Sequence, residues 1–279
     1  MNYSYYQKES DARLEMLIKE PEIKRNHYTQ KDSPDYYTIA WNTGADQQVM
    51  IDEVQYVFPA NTLLPIMMNQ SYRFEVADSL IVWQFNKEFY CIVNHDAEVG
   101  CLGFIFYGPV PVMWIPLDQH ESENMHRLVE MFAEEFELNE DIKTDMLRML
   151  LVRLIIKITR LAKKQYWDEN LGEQKYQLLR QYHFLVETHY KKEKQVQFYA
   201  GLLNKSPKTL SNVFALYGYK TPLQVIHERI VTETKRLLYY TDKSVKEIAY
   251  ELGFEDVGHF SKFIKSCTQK TPSELKKLH

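Results

Sequence analysis

Ser244–Lys265 reads SVKEIAYELGFEDVGHFSKFIK, and its punctuation is that of a helix, a tight turn and a second helix. Ser244 is a good helix N-cap, and Glu247 three positions on completes a capping box. Val245, Ile248, Ala249 and Leu252 recur at helical spacing and form one apolar face. Gly253 follows where the chain has to turn through positive φ, which glycine adopts without steric cost. Asp256 can cap the next helix, whose apolar stripe is Val257, Phe260 and Ile264 with Phe263 beside it. Ala249 is small, so two helix backbones can approach closely there. A small residue, a four-residue step to a turn glycine and a short second helix with a polar outer face mark a helix-turn-helix. Any packed helical hairpin shares the apolar pattern, so this segment alone leaves that alternative open.

The pattern occurs twice. From Val196 the chain reads VQFYAGLLNKSPKTLSNVFALYG, with Ala200 in the place of Ala249 and Asn204 in that of Gly253. Asparagine is the next best residue in a left-handed turn. Ser206-Pro207 supplies an N-cap followed by proline at the first helical position, and Leu210 and Phe214 match Phe260 and Ile264. Each unit ends in a Thr-Pro start signal, Thr221-Pro222 and Thr271-Pro272, with Gln224 and Glu274 placed for capping boxes. Residues 222–240 between them predict one helix, with Ile226, Ile230, Thr234, Leu237 and Leu238 on its inner side. Two such units joined by one helix can present two reading helices to successive major grooves, about 34 Å apart.

From about Tyr176 to its end the chain resembles the DNA-binding domain of the AraC/XylS family of bacterial transcription regulators. The residues that carry the resemblance are Ile248-Ala249, Gly253-Phe254, His259-Phe260-Ser261-Lys262, Lys265 and Thr271-Pro272-Ser273-Glu274, preceded by the weaker first repeat and by Lys235-Arg236-Leu237-Leu238. The sequence departs from the family pattern in two respects. The glycine usual before each Thr-Pro is replaced by Tyr219, with Gly218 one place early, and by Gln269. In the first reading helix Asn212 and Ala215 stand where basic residues are common.

At 279 residues the chain is long enough for two domains with cores of their own. The net charge of −4 conceals an asymmetry. From Leu171 onward 18 Lys and Arg meet 11 Asp and Glu, a net of +7; the 16 basic and 27 acidic residues before it leave −11 there. A basic C-terminal part fits a domain that meets a polyanion. Cys91, Cys101 and Cys267 are odd in number and lack metal-type spacing, so they read as buried reduced thiols of a cytoplasmic protein. The start lacks the basic region and apolar core of a signal peptide, and no apolar run reaches the eighteen or so residues of a membrane span.

Residues 1–30 read as a short helical or irregular lead, with Leu14, Leu17 and Ile18 able to pack. From Tyr36 short strands follow: YYTIAW, VQYVF, LLPIMM, YRFEV, LIVWQF, FYCIV and CLGFIFY. Turn residues separate them, as at Asn42-Thr43-Gly44, Pro59-Ala60-Asn61 and Asn94-His95-Asp96. Six to eight such strands predict a small antiparallel barrel or double sheet. The family resemblance implies a cupin-like barrel. The fold class expected is thus α+β, with a cupin-like barrel over 1–118, helices over 119–166, a linker over 167–175 and an all-α DNA-binding domain over 176–279. Its two helix-turn-helix units span about 196–217 and 244–265.

His27, His95, His120 and His126 are widely scattered, no nucleophile–base set is visible, and none of the nine glycines lies in a G-x-G cluster. Neither metal, cofactor nor catalysis is expected, although an enzymatic or small-molecule-binding barrel with a degenerate DNA-binding tail is the competing class. Trp41, Trp83 and Phe104, with Arg73 as an anion partner, are candidates to line a pocket for a small-molecule effector; the same side chains can simply fill the interior. Residues 119–137 and 139–166 predict two helices. The second is apolar on more than one face, with Ile142, Met146 and Met149 in one stripe, and so requires cover on two sides, from this chain or from a second subunit. The resemblance implies a homodimer made by such helices, and activation by recruiting RNA polymerase.

Side chains facing away from the apolar stripes would read bases. In the first unit these are Lys208, Thr209, Ser211 and Asn212; in the second they are Gly258, His259, Ser261 and Lys262. Carried over by motif position, Lys208, Ser211, Asn212, Gly258, Ser261 and Lys262 sit where the family reads bases in double-stranded DNA. Asn212 suits adenine, Lys262 guanine or a phosphate, and His259 packing or a phosphate. Lys205 and Lys265 are phosphate candidates, which set register without reading sequence.

Overall fold

The computed structural model describes residues 1–20, 23–25, 36–52, 54–67, 70–90, 103–106, 112–138, 142–166, 173–216 and 220–276. It divides into two compact units, Met1–Trp167 and Asp168–His279.

The first unit opens with a hairpin, β1 (Asn2–Gln7) against β2 (Ala12–Ile18), turned through Asp11 at φ 54°. This corrects the helical or irregular lead expected for residues 1–30. Ala12, Leu14 and Met16 are buried at every second position, the period of a strand. Leu14 packs as expected, whereas Leu17 and Ile18 are only half-buried. Next come β3 (Lys24–Arg25), β4 (Tyr37–Asn42), β5 (Gln47–Ile51), β6 (Val54–Phe58), β7 (Thr62–Ile66), β8 (Tyr72–Phe74), β9 (Leu80–Phe85) and β10 (Ile115–Pro116). All their pairings are antiparallel.

These strands form a six-stranded sheet in the order β1-β2-β9-β4-β7-β10 and a four-stranded sheet in the order β3-β8-β5-β6. The two share a core: Ala40, Leu64, Ile66, Leu80 and Val82 from the larger sheet meet Val49, Ile51, Phe58, Tyr72 and Phe74 from the smaller. The cupin-like unit is therefore a double sheet and not one closed barrel. Strand β5 was not anticipated, because Gln47 and Gln48 hide the inward alternation of Val49 and Ile51. Within CLGFIFY the segment Gly103–Phe106 is one helical turn, α1, instead of a strand. Of FYCIV, Phe89 and Tyr90 lie outside any strand and the remainder lies outside the described residues.

Two helices complete this unit. Asp118 accepts from the Glu121 backbone N–H at 2.7 Å and caps α2 (Gln119–Glu137); α3 spans Lys143–Tyr166. Met125, Leu128, Phe132 and Phe136 of α2 are buried, as are Leu147, Leu151, Leu154 and Ile158 of α3, and the helices pack on each other. Lys157 pairs with Glu121 between them. The other side of the second helix is open: Ile142, just before it, is 58% exposed and Met149 67%.

The second unit is entirely helical among its described residues: α4 (Glu173–His189), α5 (Val196–Leu202), α6 (Pro207–Leu216), α7 (Pro222–Tyr240), α8 (Val245–Glu251), α9 (Val257–Thr268) and α10 (Pro272–Lys276). The small residues Ala200 and Ala249 are both buried in one core with Leu210, Phe214, Ile226, Ile230, Phe260 and Ile264. All five inner residues expected on the long helix, Ile226, Ile230, Thr234, Leu237 and Leu238, are buried. Cys267 is exposed, contrary to expectation, because it lies on the outer side of α9; Cys91 and Cys101 lie outside the described residues. Among the described residues no helix is long and apolar enough to cross a membrane.

Candidate nucleic-acid interface

The two turns expected from the repeat are bonded alike. Asn204 has φ 51° and Gly253 φ 68°. In the first turn Leu203 N–H donates to Tyr199 O (3.1 Å), Asn204 N–H to Gly201 O (3.0 Å) and Lys205 N–H to Ala200 O (2.9 Å). In the second, Leu252 N–H donates to Ile248 O (3.0 Å), Gly253 N–H to Tyr250 O (3.0 Å) and Phe254 N–H to Ala249 O (2.9 Å). Each bond has its counterpart 49 positions on. The next helix then starts one residue later in the second unit, where Asp256 and not Glu255 takes the capping place of Ser206.

Caps fix the start of each reading helix. Thr209 N–H donates to Ser206 Oγ at 3.0 Å, and His259 N–H to Asp256 Oδ1 at 2.7 Å. Both capping boxes of the surrounding helices are complete, Thr221 with Gln224 and Ser244 with Glu247. Thr271 and Glu274 exchange the same pair of bonds at 2.7 and 3.3 Å. The Glu247 carboxyl is held below its ordinary pKa by the Ser244 backbone N–H, and that of Glu274 by Thr271 in the same way.

Between these caps the outer faces are polar and open. Lys208, Thr209, Ser211 and Asn212 are exposed on α6, and Gly258, His259 and Lys262 on α9, where Ser261 is half-buried; Lys205 and Lys265 are exposed too. Lys205, Lys208, Asn212 and Lys262 make no side-chain hydrogen bond or ion pair among the described residues, so their polar atoms are free for an outside partner. Others are partly engaged. The Thr209 and Ser206 hydroxyls lie 2.9 Å apart, and Ser211 Oγ donates to Pro207 O at 3.0 Å. The His259 ring meets the edge of Phe254 at 5.8 Å, a packing role. A Cβ on Gly258 would come within 3.0 Å of the capping Asp256 carboxylate.

A second set of groups holds these helices in place, and sequence spacing does not reveal it because its members are far apart in the chain. Arg229 on α7 donates twice to Glu187 on α4 (2.6 and 2.9 Å), and also to Glu233 (3.1 Å) and the Tyr190 hydroxyl (3.1 Å). Glu233 is 2% exposed and also takes Arg236 at 2.7 Å. Burial disfavours the Arg229 cation, but Glu187 and Glu233 outweigh it and raise its pKa. Lys194, just before the first unit, donates to Gly253 O at 3.0 Å and Lys191 O at 3.2 Å.

Of the residues expected to line an effector pocket, Trp41 and Trp83 belong to the larger sheet and Arg73 to the smaller. Ile39↔Trp83 and Trp41↔Ile81 are direct cross-strand partners, so both tryptophans lie on one face of the larger sheet. Ala40 and Val82, on the opposite face, are the ones that meet the smaller sheet. Trp41 meets His126 edge-on at 4.6 Å and Trp83 meets Phe132 at a tilt at 6.1 Å, both on α2. These two therefore fill the layer beneath a helix. Arg73 is exposed, and the side chain of Phe104 lies outside the described residues. His95 lies outside them as well. No group of three or more His, Cys, Asp or Glu able to hold a metal occurs among the described residues.

A family model for a helix-turn-helix domain matches residues 199–278. The C-terminal unit is a helix-turn-helix domain of the AraC/XylS family. Two transcriptional activators named RhaS are similar to parts of the chain. That of Enterobacter sp. (strain 638) is 29% identical over 91 residues, 33% of each chain. That of Escherichia fergusonii is 24% identical over 169 residues, 61% of this chain and 59% of the relative. The chain thus spans 33% and 59% of the length of these relatives. Among solved structures, ToxT from Vibrio cholerae aligns over 100% of this chain and 97% of its own, with 14% identity and a TM-score of 0.43.

Proposed function

We propose that the protein is a sequence-specific DNA-binding transcription regulator. The observation that carries this reading is the pair of turns bonded alike, each followed by a capped helix whose outer face offers unengaged Lys or Asn groups. Asn212 can pair with adenine through its amide, and Lys262 with guanine or a phosphate. Lys208, Thr209, Ser211, Gly258 and Ser261 would line the same contacts, while Lys205, Lys265 and His259 would meet phosphates. Both RhaS relatives are named activators, which favours activation, with RNA polymerase as the partner it requires. A DNA reader in a bacterium works in the cytoplasm, and we assign it there.

The first unit we read as the regulatory and pairing part. Its open stripe of Ile142, Met146 and Met149 fits a second copy of the same helix, giving a homodimer. A small-molecule effector would enter between the two sheets, where the Gln84 amide donates to Tyr72 Oη at 2.6 Å and the Thr38 hydroxyl lies 3.3 Å from the same oxygen. The Trp41 and Trp83 face, closed by a helix, is the less suitable place.

The test is binding of the purified chain to DNA upstream of its own gene and its neighbours, across a salt series with random competitor. Saturable binding that survives competitor is expected. Asn212→Ala should weaken it about tenfold, and Lys262→Ala should weaken it with a salt slope smaller by about one. Binding that is wholly non-specific and unaltered in both variants would overturn the reading.

A further inference from the structure

We propose that Lys194 is the positioning residue that fixes where the second reading helix stands relative to the first. The inference rests on the DNA-reading function above and extends it to the spacing of the two contacts. Lys194 lies one residue before Gln195, which caps α5, so it belongs to the entrance of the first helix-turn-helix. Its side chain is half-buried and its ammonium is engaged by the second unit. It donates to the carbonyl of Gly253 in the turn of the second unit, at 3.0 Å, and to Lys191 O at 3.2 Å. It also stands 4.6 Å from the centre of the Phe254 ring.

Phe254 passes this contact to the reading helix. Its ring packs against Phe260 at 5.1 Å and Phe263 at 5.5 Å, and against His259 at 5.8 Å. The fit at the turn is close: a Cβ on Gly253 would fall 2.0 Å from Lys191 O. Alongside it, Lys191 and Lys243 both pair with Glu251 at the end of α8. Burial lowers the pKa of Lys194, against the opposing pull of Glu193, as expected of an ammonium drawn away from water to serve backbone carbonyls.

Helix α7 packs on α6 of the first unit and on α8 and α9 of the second, so it is the obvious link. One helix alone leaves the second unit free to rock about the line of contact. Lys194 adds a direct tie from the entrance of one unit to the turn of the other. The second reading helix has 12 residues, about 18 Å at 1.5 Å per residue. A rotation of roughly 10° would carry its far end about 3 Å, close to the rise of about 3.4 Å per base pair. Small rocking is therefore enough to lose register.

The test uses the full chain. Wild-type protein first selects duplexes from a random-sequence library, and the enriched duplex becomes the probe. Versions with one or two base pairs inserted or deleted between its two contacted segments measure spacing discrimination. Lys194→Met keeps the aliphatic stem and removes the charge and both donors; Lys194→Arg keeps a cation and donors. In parallel, spin labels on Ala215→Cys and Ser266→Cys, with the three native cysteines replaced by alanine, report the distance between the reading helices without DNA.

Lys194→Met is expected to bind the enriched duplex roughly tenfold more weakly, to lose most of its discrimination against altered spacing, and to broaden the label distance. Lys194→Arg should recover all three. Unchanged discrimination together with an unchanged label distance in Lys194→Met overturns the proposal, whatever happens to overall affinity. If the wild type enriches no sequence, the regulator reading fails, and the label distance alone then decides whether Lys194 fixes the geometry.

Discussion

Gln269 shows how a single backbone angle explains a departure in the sequence. It caps α9 at φ 64°, with its N–H on Lys265 O at 2.9 Å. That left-handed position suits glycine, and a glutamine holds it at a cost of about 1 kcal/mol. Gln269→Gly should therefore raise the urea midpoint without moving the slope, by about 0.5–1 kcal/mol. Gly253 is the opposite case. With φ 68° and Lys191 O where a Cβ would sit, Gly253→Ala should cost on the order of 3 kcal/mol or more and depress DNA binding with it. The glycine was legible in the sequence. The reason it tolerates no side chain, a carbonyl from 62 positions upstream, was not.

His183 gives a pH prediction at the same scale. Its Nε2 is buried, and its ring stacks on Phe214 at 6.0 Å. Burial, with Lys220 nearby, lowers its pKa from 6.5 to about 4. The unfolded chain therefore holds the extra proton between these values, so stability falls as pH drops through that window and is level above it. The full loss is on the order of 3 kcal/mol. His227, lowered by burial as well, acts in the same sense. Unfolding in urea between pH 7.5 and 5 should show the decline, and His183→Gln should flatten most of it. An equally steep decline in that variant would assign the effect elsewhere.

At the scale of elements, helices were easier to read than strands. Three capping boxes and the 3.6-residue stripes identified α7 to α10 closely, because a helix makes its bonds within its own segment. Strands bond to partners elsewhere, so their limits depend on what lies alongside. The hairpin of β1 and β2 was missed for that reason, and so was β5, whose two glutamines hide its inward face. The Arg229 network is another product of assembly: Glu187 joins α4 to α7, and Glu233 of α7, 2% exposed, shares the same guanidinium. Removing the cation alone leaves Glu187 and Glu233 facing each other without it. Arg229→Met should cost about 3–5 kcal/mol in chemical denaturation, whereas loss of one exposed cap, Ser244→Ala, should cost about 1 kcal/mol.

For the whole molecule, the split of charge between an acidic first part and a basic second part was visible at once, and it agrees with which unit carries the helix-turn-helix domain. The open stripe on α3 supplies a prediction at this scale. If it pairs two copies, Met149→Glu should shift the sedimentation coefficient to that of a monomer while leaving the fold intact by circular dichroism. Binding to a two-site duplex should weaken by a factor of at least about one hundred, since the second contact loses its effective concentration. A monomeric wild type would end the idea.

The sequence by itself determined the repeated helix-turn-helix, its caps, its two left-handed turns and the residues on its outer faces. All of these are set by contacts within a few residues of each other, and local periodicity and turn chemistry suffice to read them. Only the tertiary structure decided that the first unit is a double sheet, that Trp41 and Trp83 lie under a helix and not between the sheets, and that Lys194 reaches the turn at Gly253. Those outcomes depend on which distant segments pair and which face of a strand is covered. A shift of one residue in register reverses that face, and no single strand's sequence carries the choice.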